Sequence, residues 1–273
     1  MKTGLILPNI LSPVNTADVL KDVAQMAEQA GFDSIWTSDH VLMPREFPQY
    51  GNGSEALITL AYLAGVTARV ELGTGILLLP MRNPLVVAKQ VATLDDFAGG
   101  RTILGVGVGW NEAEFQFLNA DFKQRGKRMD EYIDILRTLW TEEAPEHTGT
   151  FSFSNVTFEP KPKRQPPIYI GGNSEAAIQR AARLGDGWLP NGPRETLAAE
   201  VAQLRALAGA REVTVAMAMR VDMREGSQAV LDMLMEQKQA GLEYPTIRFV
   251  HEDRASLIAR IEQFVRDVLP HLV

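Results

Sequence analysis

The chain contains no cysteine. Disulfides, thiolate catalysis and cysteine-ligated metal centres are therefore excluded, and no metal site is read from the sequence. The absence is compatible with a cytoplasmic location, which is the expectation here. A basic excess is also lacking: 27 Lys and Arg stand against 34 Asp and Glu, a net charge of −7. General affinity for nucleic acid is disfavoured on that ground. No apolar run reaches membrane-spanning length. The opening MKTGLILPN has too short an apolar run for a signal peptide and lacks a small-residue cleavage site. Low-complexity tracts and repeats at solenoid spacing are absent.

What is present is ordinary globular material, 45% hydrophobic and 22% charged over 273 residues, ample for one large core. Short apolar strands alternate with amphipathic helices along its whole length. Strands are expected over 4–7, 34–40, 70–79, 103–109, 168–170, 187–189, 213–221 and 246–250. Asn15 is read as the cap of the first helix. Asn83-Pro84 opens another, with proline at its first position. Between the fourth and fifth strands lies a long ordered stretch, about 110–166. It holds a short helix over 112–117 and a longer one with Met129, Tyr132, Ile133, Leu136, Leu139 and Trp140 on one face. An alternating Phe151-Ser152-Phe153 and the prolines 160, 162, 166 and 167 complete it. Eight strand–helix units predict an α/β fold, a (β/α)8 TIM-type barrel formed as one domain over 1–273 with an insertion after strand 4. A doubly wound open sheet is the alternative. It would carry a nucleotide fingerprint after its first strand, and Pro8-Asn9-Ile10 is not one.

Four features at the C-terminal strand ends carry potential chemistry. Asp39-His40 ends the second strand. An imidazole there can exchange protons near neutral pH, or the pair can simply cap a turn. Gly73-Thr74-Gly75-Ile76 lies within the third strand, where glycine marks a bulge, a close ligand approach or tight packing. Gly105-x-Gly107-x-Gly109-Trp110-Asn111 ends the fourth. Its glycines project no side chains, so a flat ring can lie against the backbone. Gly171-Gly172-Asn173-Ser174 joins a strand to a helix N-terminus, which suits a phosphate or a plain tight turn.

Taken in order, GFDSIWTSDH, VELGTGILLLP, NPLVVAKQVATLD, GGRTILGVGVGWNEAEF, RMDEYIDILRTLW and PPIYIGG followed by AARLGDGWLP resemble the luciferase-like monooxygenase superfamily. Within it they are most similar to the branch that uses the 5-deazaflavin coenzyme F-420. These segments cover most of residues 1–190; the C-terminal third matches by architecture alone. The resemblance implies a barrel with a tricyclic ring at its C-terminal mouth. A non-prolyl cis peptide at Gly75-Ile76 would back that ring. Asp39 would contact the deazaflavin and His40 would be the catalytic histidine. Gly107, Val108, Gly109 and Asn111 would flank the ring and its side chain. Gly171 and Gly172 would offer backbone donors to the phosphate. The implied activity is hydride transfer to or from a small organic substrate, and the implied assembly is a homodimer.

One departure narrows the chemistry. Gly109 stands where sugar-phosphate and alcohol dehydrogenases of the branch carry a glutamate. Without that carboxylate, reduction of an activated double bond, imine or carbonyl is favoured over alcohol oxidation. Asn9, Trp36, Met43, Trp110 and His251 are expected around the substrate. Lys123, Arg125, Lys127 and Arg128 either meet an anionic tail or are solvated surface charges. Two rival readings stay open. One is a monooxygenase that uses flavin mononucleotide (FMN) and oxygen. The other is a barrel that binds deazaflavin without catalysis.

Overall fold

In the computed structural model, which describes residues 1–272, strand and helix alternate from end to end. The first half runs β1 (Gly4–Ile6), α1 (Ala17–Ala30), β2 (Ser34–Thr37), α2 (Ala56–Ala64), β3 (Glu71–Thr74), β4 (Leu77–Leu78), α3 (Pro84–Ala98) and β5 (Thr102–Gly107). After α4 (Glu112–Phe117) and α5 (Arg125–Thr141) come β6 (Ile168–Gly171), α6 (Glu175–Leu184), β7 (Gly187–Leu189), α7 (Leu197–Ala208), β8 (Thr214–Val221), α8 (Ser227–Gln239), β9 (Tyr244–Phe249) and α9 (Arg254–Asp267). All pairings between these strands are parallel, and the sheet closes, with β1 hydrogen-bonded to both β2 and β9 and β3 to β5. β3 and β4 are two segments of one barrel strand, which makes an eight-stranded (β/α)8 barrel as expected. Among the described residues no helix is long and apolar enough to cross a membrane.

The barrel is filled by its own inward-facing side chains. Trp36 is fully buried among Ile6, Ile103, Tyr169, Leu189, Ala216 and Tyr244. Its indole takes the space that side chains at Gly4 and Gly73 would need: a Cβ on either would lie 2.4 Å from a ring atom. These two glycines exist for packing. The larger core lies between barrel and helices, where the apolar faces of α1, α3, α5 and α9 meet the outward residues of the strands.

Several local readings need correction. Thr16, not Asn15, caps α1; Asn15 instead bonds Asn52 O and Ser54 Oγ across the loop that follows β2. The third strand, expected to be continuous over 70–79, is interrupted at the cis Gly75–Ile76 bond that the resemblance implied, where Gly75 donates its N–H to Thr37 O (2.7 Å). β9 starts two residues earlier than expected, because Tyr244 and Pro245 already pair with β8; a proline disguises the strand start. The Phe151–Phe153 segment makes one antiparallel bridge, His147 to Phe153.

Candidate active site

The C-terminal ends of the first three barrel strands are locked together by buried polar groups. Asn9, fully buried after β1, donates to Ser38 O (2.7 Å) and Ser54 O (3.1 Å) and accepts from Ser38 N (2.9 Å). Asp39 is 4% exposed. One of its oxygens accepts from Leu78 N (2.9 Å), the other from Arg82 (2.7 Å). Arg82 also pairs with Glu55 at 3.0 Å. Burial pushes the Asp39 carboxyl above its ordinary value, against the pull of Arg82 and the Leu78 amide. Asp39 therefore pins the strand segment immediately beyond the cis bond.

A cleft of about 230 Å³ opens at this end of the barrel. Gly75, Ile76, Leu78, Val108, Gly109 and Trp110 line one part of it, and Gly171, Gly172, Leu189, Asn191 and Ala218 the rest. No charged side chain is in that wall. Ile76 is seated on glycines: a Cβ at Gly107 would lie 1.7 Å from its Cδ1, and one at Gly171 2.7 Å from its Cγ2. Gly109 has φ +78°, and a Cβ there would meet Phe115 and Met81. A wall of main chain, small residues and aliphatic groups, with the Asn191 amide at its edge, suits a flat, uncharged ring. Its volume lies below the roughly 300–1,000 Å³ of a whole-ligand pocket, so the remainder of a larger ligand would extend outside.

His40 stands beside the cleft. Its Nδ1 donates to Glu114 Oε2 (2.9 Å), and its ring meets Tyr50 edge-on and then Trp110, with centroids 4.6 and 6.1 Å away. Glu114 is fully buried, and its other oxygen accepts from the amides of Val41 (2.7 Å) and Leu42 (3.3 Å). Burial alone would raise the Glu114 carboxyl. The hydrogen bonds from His40 and these amides, with the charge of His40, outweigh it and hold the pKa below its ordinary value. Glu114 thus fixes the ring orientation, and Nε2 has no partner among the described residues. Such an imidazole can give or take a proton at Nε2.

Of the residues singled out from sequence, Gly75, Ile76, Val108, Gly109, Gly171 and Gly172 share the cleft wall. Gly107 lies behind it, making room for Ile76. Asn111 caps α4 by accepting from Ala113 N and Glu114 N. The Gly172 amide is already engaged with Leu189 O (3.3 Å). Asp39 and His40 flank the cleft without lining it. Around the mouth, Trp110 is half exposed and lines the cleft, whereas Trp36 belongs to the barrel core. Arg125 folds over the Phe122 ring at 3.8 Å. Sequence reasoning missed Glu114, Arg82 and Ser38. Glu114 sits three residues after the cap Asn111, so its signal is that of a capping box, which hides a partner for His40. Its carboxylate is bound to His40, Val41 and Leu42 and does not line the cleft.

A closed (β/α)8 barrel with a ring-sized cleft at its C-terminal mouth defines the structural class. Within that class the chain belongs to the luciferase-like monooxygenase family, whose model matches residues 1–265. It is 35% identical over 174 residues to an F-420-dependent glucose-6-phosphate dehydrogenase of Kineococcus radiotolerans, covering 62% of this chain and 51% of that one. The chain spans about half the length of such dehydrogenases. In fold it is similar to a monooxygenase of Streptomyces bottropensis, with a TM-score of 0.87 and 23% identity over the whole of both chains. It is also similar to an F-420-dependent secondary alcohol dehydrogenase, with a TM-score of 0.82 and 19% identity over all of this chain and 99% of that one.

Proposed function

We propose that this protein is an oxidoreductase that moves a hydride between coenzyme F-420 and a small organic substrate. The observation that carries the reading is the adjacency of an uncharged, glycine-seated cleft to a histidine held in one orientation by a buried glutamate. Gly75, Ile76, Val108, Gly109, Gly171 and Gly172, which line the cleft, would hold the deazaflavin ring. Gly107, Asn111 and Asp39 keep that wall in place. When bound, the coenzyme supplies a two-electron carrier that gives or accepts hydride at a ring carbon. His40 handles the accompanying proton at Nε2, and Glu114 keeps the opposite nitrogen protonated. The substrate bond on this reading is an activated double bond, an imine or a carbonyl.

Support comes from the relatives named as F-420-dependent dehydrogenases and from the fit of the cleft to an uncharged ring. The family's own description as monooxygenases favours a second reading, an FMN enzyme that activates oxygen. Substituting His40→Ala tests the catalytic part. Turnover with reduced F-420 should fall by about 10²–10⁴ while F-420 affinity stays within about twofold. A variant that binds and turns over like the wild type contradicts the assignment, and a wild type that binds F-420 but turns over no carbonyl, imine or enoate leaves only a binding barrel.

A further inference from the structure

Arg248 lies on β9, two residues beyond Thr246 and four beyond Tyr244, which faces into the barrel. By the two-residue period of a strand it faces inward too, one layer nearer the mouth. Its guanidinium donates to Ile10 O (3.1 Å) and Ser38 Oγ (2.6 Å). Ser38 Oγ in turn donates to Gly75 O (3.3 Å), in the cleft wall. Arg248 is thus one side chain away from the cleft, enclosed by protein yet keeping part of its surface open to solvent.

The other charges at this mouth are matched. Arg82 has Asp39 and Glu55, and Glu114 has His40. Among the described residues Arg248 has no carboxylate within ion-pair distance; its two partners are neutral oxygens. A guanidinium carries five N–H groups and stays protonated at neutral pH. Burial pulls its pKa down to about 10, the mark of a cation that lacks compensation. Holding an uncompensated cation there is costly. Beside it, Leu11 takes φ 58°, a backbone conformation that branched side chains seldom adopt. Leu11, 40% exposed, directly follows Ile10, whose carbonyl accepts from Arg248.

We propose that Arg248 binds the carboxylate of the substrate, so that the protein acts on small organic monoanions with an apolar body. One isolated cation balances one negative charge, which fits a carboxylate better than a phosphate dianion, and only two of the five guanidinium N–H groups are engaged by protein. The inference names the substrate class for the hydride transfer proposed above. It rests on that reading for the reaction but not for the binding.

The test is calorimetric titration of the F-420-loaded protein and of the cofactor-free protein with benzoate, benzamide and inorganic phosphate. Wild type should bind benzoate at least about tenfold tighter than benzamide and tighter than phosphate. Arg248→Gln should lose that preference, and Arg248→Lys should keep part of it. F-420 affinity should be unchanged in both. Equal binding of benzoate and benzamide by the wild type, a preference for phosphate, or a preference that survives Arg248→Gln overturns the proposal. So does a loss of F-420 affinity in Arg248→Gln, since Arg248 would then serve the coenzyme. Should Arg248→Gln fail to fold, the wild-type comparison still decides. Should F-420 itself not bind, benzoate binding to the cofactor-free protein still reads Arg248 while the hydride-transfer reading falls.

Discussion

Glu114 and His40 lie 74 positions apart in the chain, yet the Glu114 carboxylate accepts a hydrogen bond from His40 Nδ1 at 2.9 Å. One comes from the first helix after the fourth barrel strand, the other from the loop after the second. The contact leaves Nε2 as the working nitrogen of the imidazole. Glu114 does not need to touch substrate to matter; it holds the orientation of the imidazole proposed to handle the proton.

Replacing Glu114 by glutamine should therefore lower kcat at least about tenfold, the direction expected when the carboxylate orienting an imidazole is removed. F-420 affinity should change little, and the pH profile of kcat should move. A drop in stability with an unchanged pH profile would reduce Glu114 to a structural brace for Val41 and Leu42.

The same residue makes a prediction about acid stability. Its folded pKa is below the ordinary 4.5, so the unfolded chain takes up this proton more readily. The stabilisation is complete above about pH 4.5 and is lost as pH falls through the lower folded value. Chemical denaturation between about pH 5 and 3 should show a steeper loss in wild type than in Glu114→Gln. Parallel curves would count against the ion pair.

Asp39→Ala removes the partner of the Leu78 amide and one of the two carboxylates on Arg82, leaving it Glu55. With Glu55 left to compensate Arg82, the lost hydrogen bonds cost about 1–3 kcal/mol, measurable as a fall in the urea midpoint. F-420 affinity should fall as well, since the strand segment next to Ile76 loses its anchor. Unaltered affinity would mean that the cleft wall does not depend on Asp39.

Gly107→Ala places a Cβ where the Ile76 Cδ1 now sits, 1.7 Å away. The flexible end of Ile76 must swing, and the space before it is the cleft. F-420 binding should weaken about tenfold, with a stability loss of about 1–3 kcal/mol from overpacking. Stability loss with full cofactor affinity would show that Ile76 moves away from the cleft instead.

The barrel was readable because each strand and helix announces itself locally: α3 by Asn83-Pro84 and a closing Gly99, α1 by its apolar face. The glycine stretches were readable as places where side chains are excluded. What excludes them was not. Gly73 yields to Trp36, Gly107 and Gly171 to Ile76, and Gly105 to the Thr74 carbonyl, so most of these glycines serve neighbouring protein atoms and only indirectly a ligand. The polar pairs of the mouth were hidden for a different reason. Arg82 with Asp39 spans 43 positions between neighbouring strands, and Arg248 with Ser38 spans 210, which barrel closure brings to contact. Glu114 was masked because its spacing from Asn111 reads as a capping box, although its carboxylate bonds His40, Val41 and Leu42 instead.

The most direct measurement of the central claim is a parallel titration of the purified protein with oxidised F-420 and with FMN, followed by fluorescence. The account predicts saturable F-420 binding at least about tenfold tighter than FMN, weakened in Gly107→Ala. Tighter binding of FMN, or no binding of either ring, would contradict it.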